Sequence, residues 1–293
     1  MRNQRKWILS PCGMSLLTWG VSDSIRRLLS RHANAPSADQ IPASDRVLLQ
    51  DHLYKRKKEF LSLSPKEAAK WSAEIHGIYR IYQGDFSRAL GDVHVLLATE
   101  TWLGKETARI VQSWLQAQGI FPELWDDLEG LRTDSLDGFH RAIGELIGRL
   151  HEQIPAYQKS GYRILFNLTG GFKSIQGILQ TLAQFYADEA IYIFETSTEL
   201  LRIPKIPIKI DLSLFKNPQT LKTWRRIVLG LPVPEEQWRS LIPETLLWVV
   251  EKEPIPSVWG ELLWKNVRQE IYGEAFHEPP SDRIRYSESL SYD

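Results

Sequence analysis

The chain has 293 residues, 43% of them hydrophobic, enough for one large domain or two smaller ones with a real core. Lys+Arg and Asp+Glu both number 36, so no global positive field exists to draw in long nucleic acid, and an anionic ligand needs a local pocket. The single cysteine, Cys12, excludes an internal disulfide and a cysteine-based zinc site and fits a reducing cytosol.

The basic start, Met1 to Lys6, is followed by only Trp7-Ile8-Leu9 before Ser10-Pro11, far short of the ~7–15 apolar residues of a signal-peptide core. No run approaches the ~18 apolar residues of a membrane span. The sequence therefore reads as cytoplasmic, with no membrane partner.

Trp7 to Ser10 reads as a short buried strand ended by Pro11-Cys12-Gly13. Residues 15–29 carry apolar residues at helical spacing (Leu16, Leu17, Val21, Ile25, Leu28, Leu29), with Ser15 placed as the cap. Residues 33–44 read as a loop. Residues 45–82 read as charged helix, with Pro65 a first-turn residue behind Ser64. A strand at 93–98 precedes a helix at 103–118 that Gly119 closes. Residues 120–125 can form a strand. A helix follows within 135–158, with Phe139, Ile143, Leu146, Ile147 and Leu150 on one face and Thr133 or Asp134 as its cap. Then come a strand at 162–168, a helix at 173–187, and strands near 190–195, 199–203 and 206–210.

Alternating strands and helices predict an α/β fold with a mostly parallel, Rossmann-like sheet, and the closely spaced last strands predict an antiparallel edge. From about residue 212 the character changes. Trp224, Trp238, Trp248, Trp259 and Trp264 crowd together among prolines, which predicts a small, mainly helical C-terminal domain over 212–280 with a strand at 245–250. The polar tail 281–293 is expected to be disordered. The first domain then spans 1–211, with a helical insert around 33–82.

In open parallel sheets ligands bind beyond the carboxyl ends of the strands. That rule selects four loops: 11–15, 99–104, 126–133 and 167–174. The last, Asn167-Leu168-Thr169-Gly170-Gly171-Phe172-Lys173-Ser174, joins a strand to a helix. Paired glycines let a backbone approach a ligand. The helix start offers free N–H groups to an anion, and Lys173 adds a cation. The same residues also suit a plain tight turn. The spacing is neither a P-loop nor a dinucleotide fingerprint. Gly13-Met14-Ser15 mirrors the arrangement after the first strand. Glu100 and Lys105 read as solvated charges, whereas Arg132 could meet a phosphate. The seven histidines form no metal-binding cluster. Two permissive Arg-to-His spacings, Arg27 to His32 and Arg46 to His52, match a loose ribonuclease pattern by chance.

The first-strand loop, Gly13-Met14-Ser15-Leu16-Leu17-Thr18, and the segment Asn167 to Ser174 look like the two signature loops of CRISPR-associated Rossmann-fold (CARF) proteins. The best match is the archaeal-type ring nuclease family of type III CRISPR systems. Ala187 to Glu195, Leu200 to Pro204, and Thr99 to Gly104 opening a helix also resemble that family, so the likeness covers roughly residues 5–210. The chain departs from the family pattern at Met14 and Trp19.

The resemblance implies a homodimer that binds a cyclic oligoadenylate, usually cyclic tetra-adenylate, across its two-fold axis. It implies metal-independent cleavage to linear di-adenylate with a 2′,3′-cyclic phosphate, without a cofactor. Carried onto this chain, Lys173 would stabilise developing charge, Ser15 would position the phosphate or ribose, and the N–H groups of Gly170 and Gly171 would cradle the ligand. Gly13, Met14, Thr99, Thr101, Trp102, Gly104, Arg132, Asn167, Thr169, Phe172 and Ser174 complete the expected binding set. The alternative is a sensor that binds the ring without cutting it and signals through its C-terminal appendage or a partner.

Overall fold

Trp7, Ile8 and Leu9 are fully buried in a strand that is apolar on both faces, as the centre of a parallel sheet demands. This strand, β1 (Lys6–Pro11), belongs to a computed structural model that describes residues 4–193, 199–250 and 252–272. The chain divides into two compact units, the first ending at Ile208 and the second beginning at Lys209.

In the first unit β1 is joined by β2 (Val93–Leu97), β3 (Glu123–Trp125), β4 (Arg163–Asn167), β5 (Glu189–Ile193) and β6 (Leu200–Pro204). The order is β3-β2-β1-β4-β5-β6, and all pairs are parallel except β5–β6. This is the Rossmann strand order, in which the winding direction reverses between β1 and β4. Trp7 pairs with Val93 on one side and Ile164 on the other, which aligns the strand ends at that reversal.

The helices of this unit are α1 (Ser15–Thr18), α2 (Asp23–Arg31), α3 (Ala43–Leu61), α4 (Pro65–Trp71), α5 (Ala73–Ile81), α6 (Trp102–Ala117), α7 (Leu136–Lys159) and α8 (Lys173–Tyr186). On one sheet face Ile8, Leu96, Leu165 and Ile191 form a continuous core with Leu16, Phe60, Ile75, Ile78 and Trp114. The helical insert α3–α5 contributes much of this layer. On the other face the Trp7 ring lies among Trp125, Tyr157 and Phe166, with centroids 6.2–6.4 Å away.

Several expectations are corrected. The helix expected over 15–29 breaks after Thr18, because Gly20 takes a φ of +61° and Ser22 caps a new helix through the Ile25 N–H. Ser15 is not a cap; Met14 occupies that position, and the Ser15 hydroxyl accepts from the Ala73 N–H. α7 is capped by Ser135, which accepts from the Gly138 N–H, rather than by Thr133 or Asp134. Residues 206–210 form no strand. The Ser64–Pro65 start holds, reinforced by Glu67, whose carboxylate accepts from the Ser64 backbone.

The second unit holds α9 (Pro218–Val228), α10 (Glu235–Leu241), β7 (Leu247–Val250), β8 (Glu253–Pro256) and α11 (Val258–Tyr272) around Phe215, Trp224, Trp238 and Trp264. β8, an antiparallel partner of β7, escapes a pattern reading because Pro254 and Pro256 disguise it; two-stranded pairing leaves room for prolines at an edge. The expected tail 281–293 and the end of the expected 190–195 strand lie outside the described residues. No helix among the described residues is long and apolar enough to cross a membrane.

Candidate functional site at the sheet switch point

The crevice beyond the carboxyl ends of β1 and β4 is built by two loops in van der Waals contact. A Cβ on Gly13 would lie 3.0 Å from the Gly171 carbonyl oxygen and 3.1 Å from its nitrogen. Gly171 itself has a φ of +96°, and a Cβ there would meet the Pro11 ring at 2.9 Å. Only glycine satisfies both the left-handed backbone and this approach. The tight-turn requirement and the ligand-cradle layout are therefore met by the same residues.

Two helices start at these loops. α1 begins behind Met14 and α8 behind Phe172, and no side chain caps either. By contrast α2, α5, α6 and α7 are capped by Ser22, Ser72, Thr101 and Ser135. At the positive end of α8 the Ile175 and Gln176 N–H groups bond the Phe172 carbonyl, and those of Lys173 and Ser174 keep their hydrogen-bonding capacity. Lys173 and Ser174, the first residues of α8, are exposed. Gln176 holds the loop from behind, donating to the Gly170 carbonyl at 2.9 Å and more weakly to that of Leu168.

Glu74, at the start of α5, lies against the same loops with no exposure. Its Oε1 accepts from the Gly13 N–H at 2.7 Å, and its Oε2 accepts from the Ser72 hydroxyl at 2.6 Å. Burial pushes its carboxyl pKa up. The Ser72 hydroxyl and the N–H groups of Gly13, Glu74 and Gly171 pull in the opposite direction by favouring the charge. Oε1 thus faces backbone N–H donors and Oε2 the Ser72 hydroxyl. Burial also pushes the neighbouring Cys12 thiol well up, and the Glu74 charge adds to it.

The residues expected at the site separate into groups. Gly13, Met14, Ser15, Thr169, Gly171 and Phe172 are half-buried in the two touching loops, with Gly170 beneath. The Thr169 hydroxyl oxygen is buried and makes no hydrogen bond. Asn167 is fully buried. Its amide donates to the Ser10 hydroxyl at 3.1 Å and the Glu74 carbonyl at 3.0 Å, so it ties the loop to α5 rather than facing a ligand. Thr101 is also buried, as the α6 cap, and holds Thr99 by a 2.9 Å hydroxyl contact. Gly104 is there because a Cβ would collide with the Thr99 hydroxyl. Trp102 donates its backbone N–H to Ala35.

Arg132 faces carboxylates: its Nε lies 3.2 Å from Asp134 and 3.8 Å from Glu100. Neither contact has the alignment of a hydrogen bond, so the attraction is electrostatic. Glu100 in turn accepts from the Gly130 N–H, so it is a loop brace rather than a solvated charge. A ring contact between Phe139 of α7 and Phe172, at 6.5 Å, connects α7 to the Gly-Gly loop. Sequence reasoning missed Glu74, Ser72 and Gln176. Gln176 follows Lys173 by three positions and could have been read as a loop anchor. Glu74 carried no local signal, since it meets Gly13 across 61 residues.

Among the described residues no group of three or more His, Cys, Asp or Glu side chains is placed to hold a metal ion. No curated protein matches the chain. Residues 69–206, a little under half of the chain, running from the end of α4 past β6, match the family model described as CRISPR-associated protein (Cas_APE2256), a match that indicates a CRISPR-associated protein.

Proposed function

We propose that the chain binds a cyclic oligoadenylate, cyclic tetra-adenylate in the first instance, at the β1–β4 crevice of a homodimer and cleaves it without a metal. The observation that carries this reading is the uncapped start of α8 at a glycine loop pressed against the Gly13 loop, with Lys173 exposed beside it. A phosphodiester is the anion such a cradle suits. The match to a CRISPR-associated family and the likeness of both loops to CARF signatures select the class of ligand. A cyclic tetranucleotide is two-fold symmetric, so two copies of each loop can meet two pairs of its phosphates.

In the cleavage step a ribose 2′-oxygen attacks the adjacent phosphorus and the P–O5′ bond breaks. The 2′-hydroxyl loses its proton and the departing 5′-oxygen gains one. Two such events convert the ring into two linear di-adenylates, each with a 2′,3′-cyclic phosphate and a 5′-hydroxyl. The site's contribution is in-line positioning and stabilisation of the phosphorane charge. Lys173 and the α8 N–H groups supply the positive field in this scheme, and Ser15 fixes the neighbouring ribose or phosphate. Destruction of the ring would switch off type III CRISPR signalling.

One observation favours the alternative, a sensor that binds without cutting. The Ser15 hydroxyl already accepts from the Ala73 N–H, and the Gly13 N–H is committed to Glu74. That leaves Lys173 as the principal reactive side chain of the cradle. Calorimetric titration with cyclic tetra-adenylate tests the shared part of both readings. The expected stoichiometry is one ring per two chains, with a dimeric mass by light scattering; absence of binding at high micromolar ring rejects both.

A further inference from the structure

The break between α4 and α5 fills an unusual position. Ser72 ends α4 and caps α5, and the next two residues reach both loops of the crevice. The Ala73 N–H donates to Ser15. The Glu74 carboxylate takes the Gly13 N–H, and its main-chain carbonyl takes the Asn167 amide. A Cβ on Gly170 would lie 2.3 Å from Glu74 Oε1, so the carboxylate rests directly on the second loop. Among the described residues no cation pairs with Glu74; its partners are N–H and O–H donors. Burying an unpaired carboxylate costs far more than burying a neutral side chain of the same shape. The Gly13 N–H and the Ser72 hydroxyl are the groups this carboxylate satisfies, so its place is set by the loops it holds.

We infer that Glu74 is a positioning residue of the ligand site: from beneath, its carboxylate clasps the Gly13 and Gly170–Gly171 loops at a fixed separation. The leading N–H groups of α8 and the side chain of Lys173 then stay aimed at one anionic ligand above them. This inference rests on the ligand reading for its consequence, though the clasp itself exists without ligand. The opposite assignment, a carboxylate that occupies the ligand's own place and must be displaced, conflicts with its complete burial under Gly170. The two assignments predict effects of opposite sign. A glutamine retains the shape, and its amide can donate to the Ser72 hydroxyl, but it loses the negative charge that the surrounding N–H groups favour, so Glu74→Gln weakens the clasp.

The test combines two measurements on the full chain. In the ligand-free wild type, the Gly13 amide should exchange slowly with solvent for a half-exposed loop residue, and Glu74→Gln should shift the Gly13 and Gly171 amide resonances. In titrations with cyclic tetra-adenylate, Glu74→Gln should weaken binding at least tenfold while helical content is kept. Unchanged or tighter binding by the folded variant overturns the inference. Should the variant fail to fold, rapid exchange of Gly13 in the wild type overturns it and slow exchange supports it. Should the wild type bind no ring, the ligand reading fails, and Gly13 protection with the variant's amide shifts decides the clasp alone.

Discussion

Lys173 is exposed at the first position of an uncapped helix, and its charge adds to the field of that helix start. A lysine-to-phosphate contact of this kind contributes about 1.5–3 kcal/mol. Lys173→Ala should therefore weaken ring binding by about 10–100-fold, while leaving the melting temperature close to wild type because the side chain is exposed. Titration and a thermal melt of the same preparation check both halves; binding at the wild-type level would remove Lys173 from the site. The other residues expected to touch ligand divide by burial. Gly13, Ser15, Gly171 and Lys173 line the crevice, whereas Asn167 and Thr101 hold it together from inside. Sequence alone assigns both kinds to one motif, because a motif records which residues occur together and not which way each side chain points.

At the scale of elements, the crevice depends on how α5 crosses the end of β4. The crossing is close because residue 77 is glycine: a Cβ there would lie 2.0 Å from the Asn167 side chain. Asn167 is buried and hydrogen-bonded, so it has no room to retreat. Gly77→Ala should lift α5 from the sheet, cost about 1–3 kcal/mol as overpacking does, and loosen the Glu74 clasp with it. A denaturant melt should show the loss of stability, and an unchanged midpoint would show that α5 can shift at no cost. The strands and the longer helices were legible because their apolar periods are long: β1, β2, β4, α6, α7 and α8 lie within a residue or two of their sequence-derived bounds. The breaks were less legible. Gly20 and Ser22 split one amphipathic stretch into α1 and α2, and nothing in the apolar spacing marks that. β8 was hidden by its prolines. Ser72 ends one helix while starting another, so the α4–α5 corner that carries Glu74 read as a single charged helix. The two glycine loops were visible in sequence, but what lies beneath them was not, because it arrives from a segment distant in the chain.

For the molecule as a whole, the strand order reverses where both glycine loops meet, and a doubly wound sheet concentrates ligand contacts at that point. The insert α3–α5 serves two ends. Its apolar stripe completes the core on one sheet face, and its last corner sets the floor of the crevice. The balanced net charge agrees with a ligand recognised by a local cradle rather than by a long-range field. A single cradle meets one side of a cyclic tetranucleotide, so the proposed activity belongs to a pair of chains, each offering its Gly13 loop, its Gly170–Gly171 loop and its Lys173. The most direct measurement is incubation of excess purified protein with labelled cyclic tetra-adenylate in EDTA, followed by chromatography of the products. The account predicts conversion to linear di-adenylate ending in a 2′,3′-cyclic phosphate, with that conversion lost in Lys173→Ala. A ring recovered intact from the wild type would contradict the cleavage claim.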